Sequence, residues 1–397
     1  MLLLRPLHSL RRALLRPLRK CRLAALNSTQ VVAAALFTLL VVAFLVNEAI
    51  TRGSAQRNIS EESQGLDSEG DGLWDRINTW LFHWYVIDEN YGKLASEADL
   101  NKLKNSVTVD SICSPIISET CFTVKDVFDE ESNVVSRVIL VKGFDDEYDT
   151  SVKLISPRNL SFHDSDTRTW KIDHSAMNSQ YIAAIIAAPF MVGALSMEKA
   201  GNAKRNLLSI GLGGGSLDMF IHTSVPEINI TTVELDPAVV DIARRWFDVV
   251  DDPLRRTIVG DGFKFLEKAA KDGGFFDVVV IDACDGNKAI PCPAVAFRDE
   301  AMIANAKKVL KTMGCLVVNI LTKDETRTDE VIDLLHKEFP VCIRALLPNE
   351  YNVPVVCLPY ELEDSDSSLL LYKKRFEMAL NRFGLGAILQ NVVFRNL

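Results

Sequence analysis

The residues best suited to chemistry in this chain are carboxylates that follow short apolar runs. Glu234 closes Asn229-Ile-Thr-Thr-Val-Glu234, Asp261 follows Val259-Gly260, and Asp282 follows Phe276-Asp-Val-Val-Val-Ile281, with Asp285 shortly after. Upstream of them all lies Gly211-Leu-Gly213-Gly214-Gly215-Ser216, between an apolar run and a helical pattern. Glycine lacks a Cβ, so such a loop can turn sharply and offer bare amides to a ligand at a helix N-terminus. A carboxylate about 20 residues beyond the loop is spaced to meet the hydroxyls of a ribose. Glu234 occupies that position, which points to a nucleoside-like ligand; the plainer reading of the glycines alone is a tight turn with no ligand.

Elements of alternating type must carry these residues. The acids follow successive β-rich runs, and helical patterns separate the runs. Ala294 to Lys311 patterns as a helix, Cys315 to Leu321 as a strand, Thr328 to Phe339 as a helix, and Val341 to Leu347 and Val353 to Leu358 as final strands. Alternation with unbroken apolar strands predicts an α/β fold, a doubly wound, mostly parallel sheet covered on both faces. In such a sheet every one of these acids lies at a strand C-terminal end, where ligands bind.

Gly-x-Gly-Gly-Gly, Glu234-Leu-Asp236-Pro237, Gly260-Asp261-Gly262-Phe263 and the Asp282/Asp285 pair together resemble the class I S-adenosylmethionine-dependent methyltransferases, in their spermidine-synthase-like branch. The resemblance runs from about Ile172 to about Pro359 and includes Trp246-Phe247 and Cys292-Pro293 followed by Phe297. It is strongest toward the C-terminal domain of the eukaryotic methyltransferases that modify the N-terminus of elongation factor 1A. It implies a seven-stranded Rossmann-like sheet and S-adenosylmethionine as cofactor, with decarboxylated S-adenosylmethionine as the alternative. It further implies cofactor contacts by Gly211, Gly213, Gly214, Gly215, Glu234, Asp261, Gly262 and Asp282. Gln180 and Tyr181 are implied to face the substrate, although Tyr181 on an Ala/Ile-rich helix is more simply read as packing.

Asp285 matches the acid that takes a proton from the attacking amine in aminopropyl-transferring members, and a carboxylate there suits methylation of nitrogen too. The other reading of Asp285 is a cap on the following turn. Asp236, next to Pro237, reads as a helix N-cap. Ser216 stands where the resemblance leads one to expect an acid, and the loop Asp285-Gly-Asn-Lys-Ala-Ile-Pro-Cys-Pro293 departs from the diamine-binding pattern. Both departures favour a methyltransferase acting on an amine of a protein or small molecule over a polyamine aminopropyltransferase. A non-catalytic descendant that keeps the fold is a third reading, and a homodimer is compatible with the resemblance.

The rest of the chain frames that domain (172–360). Residues 1–30 form a basic segment, 31–50 an apolar stretch with the ~20 residues needed to span a membrane with its flanks, and 51–72 a polar stem. The first 22 residues hold seven basic residues and no acid, so positive charge precedes the span and predicts a cytosolic N-terminus with a lumenal catalytic body. Arginines opposite leucines in the first 19 residues also fit a mitochondrial presequence. Residues 73–171 read as a small helix-plus-β domain: Trp74 to Trp84 on a helix, then β-rich runs from Val107, Cys121, Val134 and Ser151, parted by acidic turns such as Asp145 to Asp149. Residues 361–397 read as a helical extension.

Formal net charge is −9, and the basic leader makes the remainder more acidic still. Such a body repels nucleic acid. No spacing of His, Cys, Asp or Glu suggests a metal site. Cys113 with Cys121, and Cys284 with Cys292, are placed to pair in an oxidising compartment, whereas Cys315, Cys342 and Cys357 read as small core residues.

Overall fold

The computed structural model describes residues 105–142, 148–272, 275–348 and 350–396. The chain divides at residue 92, and the described residues all belong to the second unit. The expected membrane span, stem and aromatic helix lie outside them. Among the described residues no helix is long and apolar enough to cross a membrane.

The small β domain is a five-stranded antiparallel meander. It comprises β1 (Ser106–Cys113), β2 (Cys121–Asp129), β3 (Val134–Val141), β4 (Tyr148–Ile155) and β5 (Lys171–Ile172), paired in chain order. Period-two alternation sends Val124, Val135, Ile139, Val152 and Leu154 to one buried face. The runs read from the sequence hold: Val134–Val141 keeps its bounds, and the other three are lengthened.

The main domain then opens with α1 (Gln180–Val192), β6 (Asn206–Ile210), α2 (Ser216–Ser224), β7 (Asn229–Glu234), α3 (Pro237–Trp246) and β8 (Arg255–Val259). It continues with α4 (Gly262–Asp272), β9 (Phe276–Ile281), α5 (Glu300–Lys308), β10 (Leu310–Leu321) and α6 (Glu325–His336). It ends with β11 (Val341–Leu346), β12 (Asn352–Leu358), α7 (Ser365–Phe383) and β13 (Val393–Asn396). The sheet order is β13-β11-β12-β10-β9-β6-β7-β8. β8, β7, β6, β9 and β10 pair in parallel; β12 is antiparallel to both neighbours, and β13 to β11. The chain winds outward from β6 in both directions, so the switch point lies between β6 and β9.

Two expectations need correction. The sheet has eight strands rather than seven, because Val393–Asn396, which lack a strong apolar run, pair with β11 at the edge. The helix expected from Ala294 to Lys311 is interrupted: Asp299 accepts from Met302 N at 3.1 Å and starts a new helix, and Leu310 already pairs with Phe276 in the sheet.

Alternate residues of the central strands feed the two faces. Leu207, Val278 and Val280 pack with α1, α2 and α7, while Leu208, Val279 and Ile281 pack with α4, α5 and α6. Each such side chain, fully buried, is worth about 1.5–3 kcal/mol relative to exposure. A third core joins the small meander to α3, through Phe122, Val152, Ile242 and Phe247 among others.

Two buried ion pairs fix the parts that bear the site. Arg255, 0% exposed, meets Asp218 at 2.5 Å, and Asp218 also accepts from Thr232 Oγ1 at 2.9 Å, which ties α2 to β7 and β8. Arg137 forks onto Asp126 at 2.7 and 2.9 Å and donates to Trp246 O at 2.9 Å, linking the small sheet to the end of α3.

Candidate functional site

The glycine loop turns from β6 into α2, and the structure shows why side chains are excluded there. Gly213 and Gly215 have φ of +54° and +74°, the left-handed region. A Cβ on Gly214 would meet Phe247 Cδ1 at 2.8 Å, and one on Gly215 would meet Val249 Cγ2 at 2.5 Å. A Cβ on Gly211 would overlap the Asp282 carbonyl oxygen of the neighbouring strand. The loop is therefore pressed between protein elements on one side. Two of its amides are not bare: Leu212 N donates to Glu234 Oε2 at 2.9 Å and Gly214 N to Thr150 Oγ1 at 2.9 Å. This corrects the expectation of a wholly open cradle.

Glu234 ends β7 and is held at both oxygens, since Oε1 accepts from Asp236 N at 2.8 Å. Those amides oppose a pKa that burial raises, and the charges of Asp149 and Asp236 raise it further. Each carboxylate oxygen carries two acceptor sites, so the clamp orients Glu234 and leaves capacity for hydroxyls. Asp236 caps α3 through Ala238 N at 2.8 Å, with Pro237 in the first turn, as its sequence context predicts.

Asp261 and Gly262 follow β8. Asp261 Oδ1 accepts from Phe263 N at 2.9 Å and so caps α4, leaving Oδ2 with only a 3.7 Å contact to Lys264. Gly262 lacks a side chain for a packing reason: a Cβ would lie 2.5 Å from Ile210 Cγ2. That accounts for the glycine without a ligand.

Asp282 follows β9 at the switch point. Its Oδ1 accepts from Asn319 Nδ2 at 2.8 Å, and its pKa is pushed up to about 6, mainly by burial and then by the charge of Asp149, against the Asn319 bond. Asp285 lies differently. Oδ1 accepts from Asn287 N at 2.9 Å and Oδ2 from Val295 N at 2.7 Å, which makes it the clasp of the 285–295 loop. Cys284 and Cys292 are disulfide-bonded across the same loop. The capping reading of Asp285 has the stronger geometric support.

Gln180 and Tyr181 begin α1, and the Glu350 carboxylate accepts from both their backbone amides. Tyr181 packs on the core, yet its hydroxyl also feels Asp282, Asp149 and Glu350, which together with burial raise its pKa well above the usual phenol value. Among the described residues, Gln180 Oε1 and Asn319 Oδ1 are buried with no hydrogen-bond partner. Both are spare acceptors beside the carboxylates.

Sequence reasoning passed over Asn319, Glu350, Thr150 and Asp149. Asn319 was detectable as the lone polar residue in Cys315-Leu-Val-Val-Asn-Ile-Leu321. Asp149 and Thr150 sit in a separate sheet, and only its docking brings them here.

The combined set is rich in acceptors and carboxylates. Among the described residues, the groups that shift Glu234, Asp282 and Asp149 include no cation. Like charges set close together disfavour one another, and a bound cation relieves that repulsion. A nucleoside that carries a sulfonium and an ammonium fits that requirement.

Comparisons with known proteins agree with this architecture. Residues 189–358 match the spermine/spermidine synthase domain family. The chain is 31% identical over 185 residues, 45% of its length, to an eEF1A lysine and N-terminal methyltransferase of Xenopus laevis, and covers 27% of that protein. It thus spans about a quarter of the length of such relatives. It is 26% identical over 182 residues, 46% of its length, to a polyamine aminopropyltransferase of Neisseria meningitidis, of which it covers 66%. A solved structure of a probable spermidine synthase from Corynebacterium glutamicum superposes with a TM-score of 0.53 at 14% identity, over 73% of this chain and 90% of the other, which speaks for the fold. Fold, strand-end acids and family match converge: through residues 189–358 the chain is similar to the spermine/spermidine synthase domain family and to proteins named as eEF1A lysine and N-terminal methyltransferases.

Proposed function

We propose that the protein is an S-adenosylmethionine-dependent methyltransferase whose acceptor is an amine nitrogen of a protein or small molecule. The observation that carries this reading is Asp282: a carboxylate at the switch point, held by Asn319, with a pKa near 6. A base of that pKa is charged at neutral pH yet basic enough to take a proton from an amine. Glu234, oriented by two amides, would hold the ribose, and Asp261 Oδ2 is available to the adenine amino group. When bound, the cofactor supplies a methyl carbon activated by its sulfonium. The chain's own task is then to align the nitrogen, keep water out and accept the proton on Asp282. The relatives named as protein methyltransferases support a protein amine.

Decarboxylated S-adenosylmethionine is the second reading. The several carboxylates near Tyr181 and the aminopropyltransferase relative favour it. Titration calorimetry with each compound separates them. Methyl transfer predicts tighter binding of S-adenosylmethionine, and Asp282→Asn should keep that binding while lowering kcat by about 10²–10⁴-fold. Preference for the decarboxylated compound, or a fully active variant, would overturn the reading.

The catalytic unit works in an oxidising compartment on this proposal. Three cysteine pairs joined by disulfides support it, together with the basic leader and apolar stretch of the sequence.

A further inference from the structure

The functional residues assigned so far come from the large sheet, but one carboxylate in the site does not. β4 runs against the glycine loop. Thr150, buried, accepts from Gly214 N at 2.9 Å, and the Cβ direction of Gly213 meets Thr150 Oγ1 at 2.8 Å and Asp149 Oδ2 at 3.3 Å. The Thr150 bond thereby fixes where the preceding residue, Asp149, presents its carboxylate. That carboxylate opens to solvent on one side, while its charge reaches Glu234, Asp282 and Tyr181. Its own hydrogen-bond partner is the Thr150 hydroxyl, at a weak 3.4 Å.

Asp149 therefore borders the glycine loop, and its charge acts on both Glu234 and Asp282. Crowding charges of one sign costs free energy that a bound cation recovers. Two unpaired atoms among the described residues, Gln180 Oε1 and Asn319 Oδ1, the latter on the residue that holds Asp282, are acceptors as well. Asn319 is 1% exposed, so solvent cannot satisfy it. A group with several N–H donors and a positive charge answers all of these at once, and an ammonium has three such donors.

We infer that Asp149 is the specificity-determining anchor for a ligand ammonium, supplied by the small β domain to a site otherwise built on the large sheet. The ammonium belongs either to the amino-acid end of the cofactor or to the acceptor. The inference rests on the cofactor reading above and deepens it.

The test uses the full chain and two ligands. S-Adenosylhomocysteine carries the ammonium, and 5′-methylthioadenosine keeps the nucleoside and sulfur without it. If Asp149 holds the cofactor's ammonium, Asp149→Asn weakens S-adenosylhomocysteine by about tenfold or more and leaves methylthioadenosine within about twofold, by calorimetry. If it holds the acceptor's, both nucleosides bind as before. Putrescine, added to the methylthioadenosine complex as a di-ammonium probe, then loses about tenfold in affinity. Equal weakening of both nucleosides, or no change with any of the three compounds, overturns the inference. Thermal unfolding confirms that the variant is folded, with Asp149→Ser as the replacement if it is not. Wild-type protein that binds neither nucleoside refutes the cofactor reading and the inference with it, whereas an indifferent variant beside a binding wild type refutes the inference alone.

Discussion

Asp282 is held in a state that disfavours its own charge. Its ordinary value of 3.8 is raised to about 6, so the folded protein carries a penalty that is absent below the ordinary value, grows as pH climbs between the two, and is complete above the higher one. On the proposed mechanism Asp282 acts in its charged form, so kcat/KM should rise as pH increases through about 6. Asn319→Ala removes the hydrogen bond that favours the charge, and the midpoint of the pH profile should move upward; an unmoved profile would show that another group sets it. Glu234 and Asp282 were legible in the sequence because an acid directly after an apolar run must sit at a strand end. Asp285 was less so, since the amide it clasps belongs to Val295, ten residues away across a folded loop. Asp149 was hidden for a stronger reason: in the sequence it ends an acidic turn, and nothing local says which surface that turn meets.

The glycine loop is the element on which sequence and structure agree in place but differ in cause. Its glycines were read as making room for a ligand, while the structure shows them also making room for Thr150, Phe247 and Val249. Gly215→Ala combines a left-handed backbone with a 2.5 Å approach to Val249 and should cost about 1–3 kcal/mol by chemical denaturation. Gly260→Ala is the control: nothing lies within 4 Å of its Cβ position, and stability should hold. The order of strands and helices followed from periodicity, because buried strands and amphipathic helices leave different patterns. The edge strand β13 did not, since its pairing with β11 depends on a return of the chain after α7 that no local pattern encodes.

At the scale of the molecule, covalent cross-links bear on where it works. Cys113–Cys121 and Cys284–Cys292 are the pairs the spacing suggested; Cys342–Cys357 is a correction, for those residues face each other across β11 and β12 rather than merely filling the core. Register brings them together, and register is not visible before the strands are paired. Non-reducing peptide mapping of protein made in a secretory host should recover all three links with Cys315 as a free thiol, and protein kept reduced should melt at lower temperature. Recovery of free thiols at those six positions would remove the support for an oxidising compartment. The contact of Thr150 with the glycine loop has a wider consequence. A fragment trimmed to residues 189–358 would retain the parallel strands and forfeit Asp149, Thr150, Gln180 and Tyr181. The meander and the Rossmann-like sheet thus share a seam: a side chain added at Gly213 or Gly214 would press on Thr150, so a change on one sheet is felt on the other.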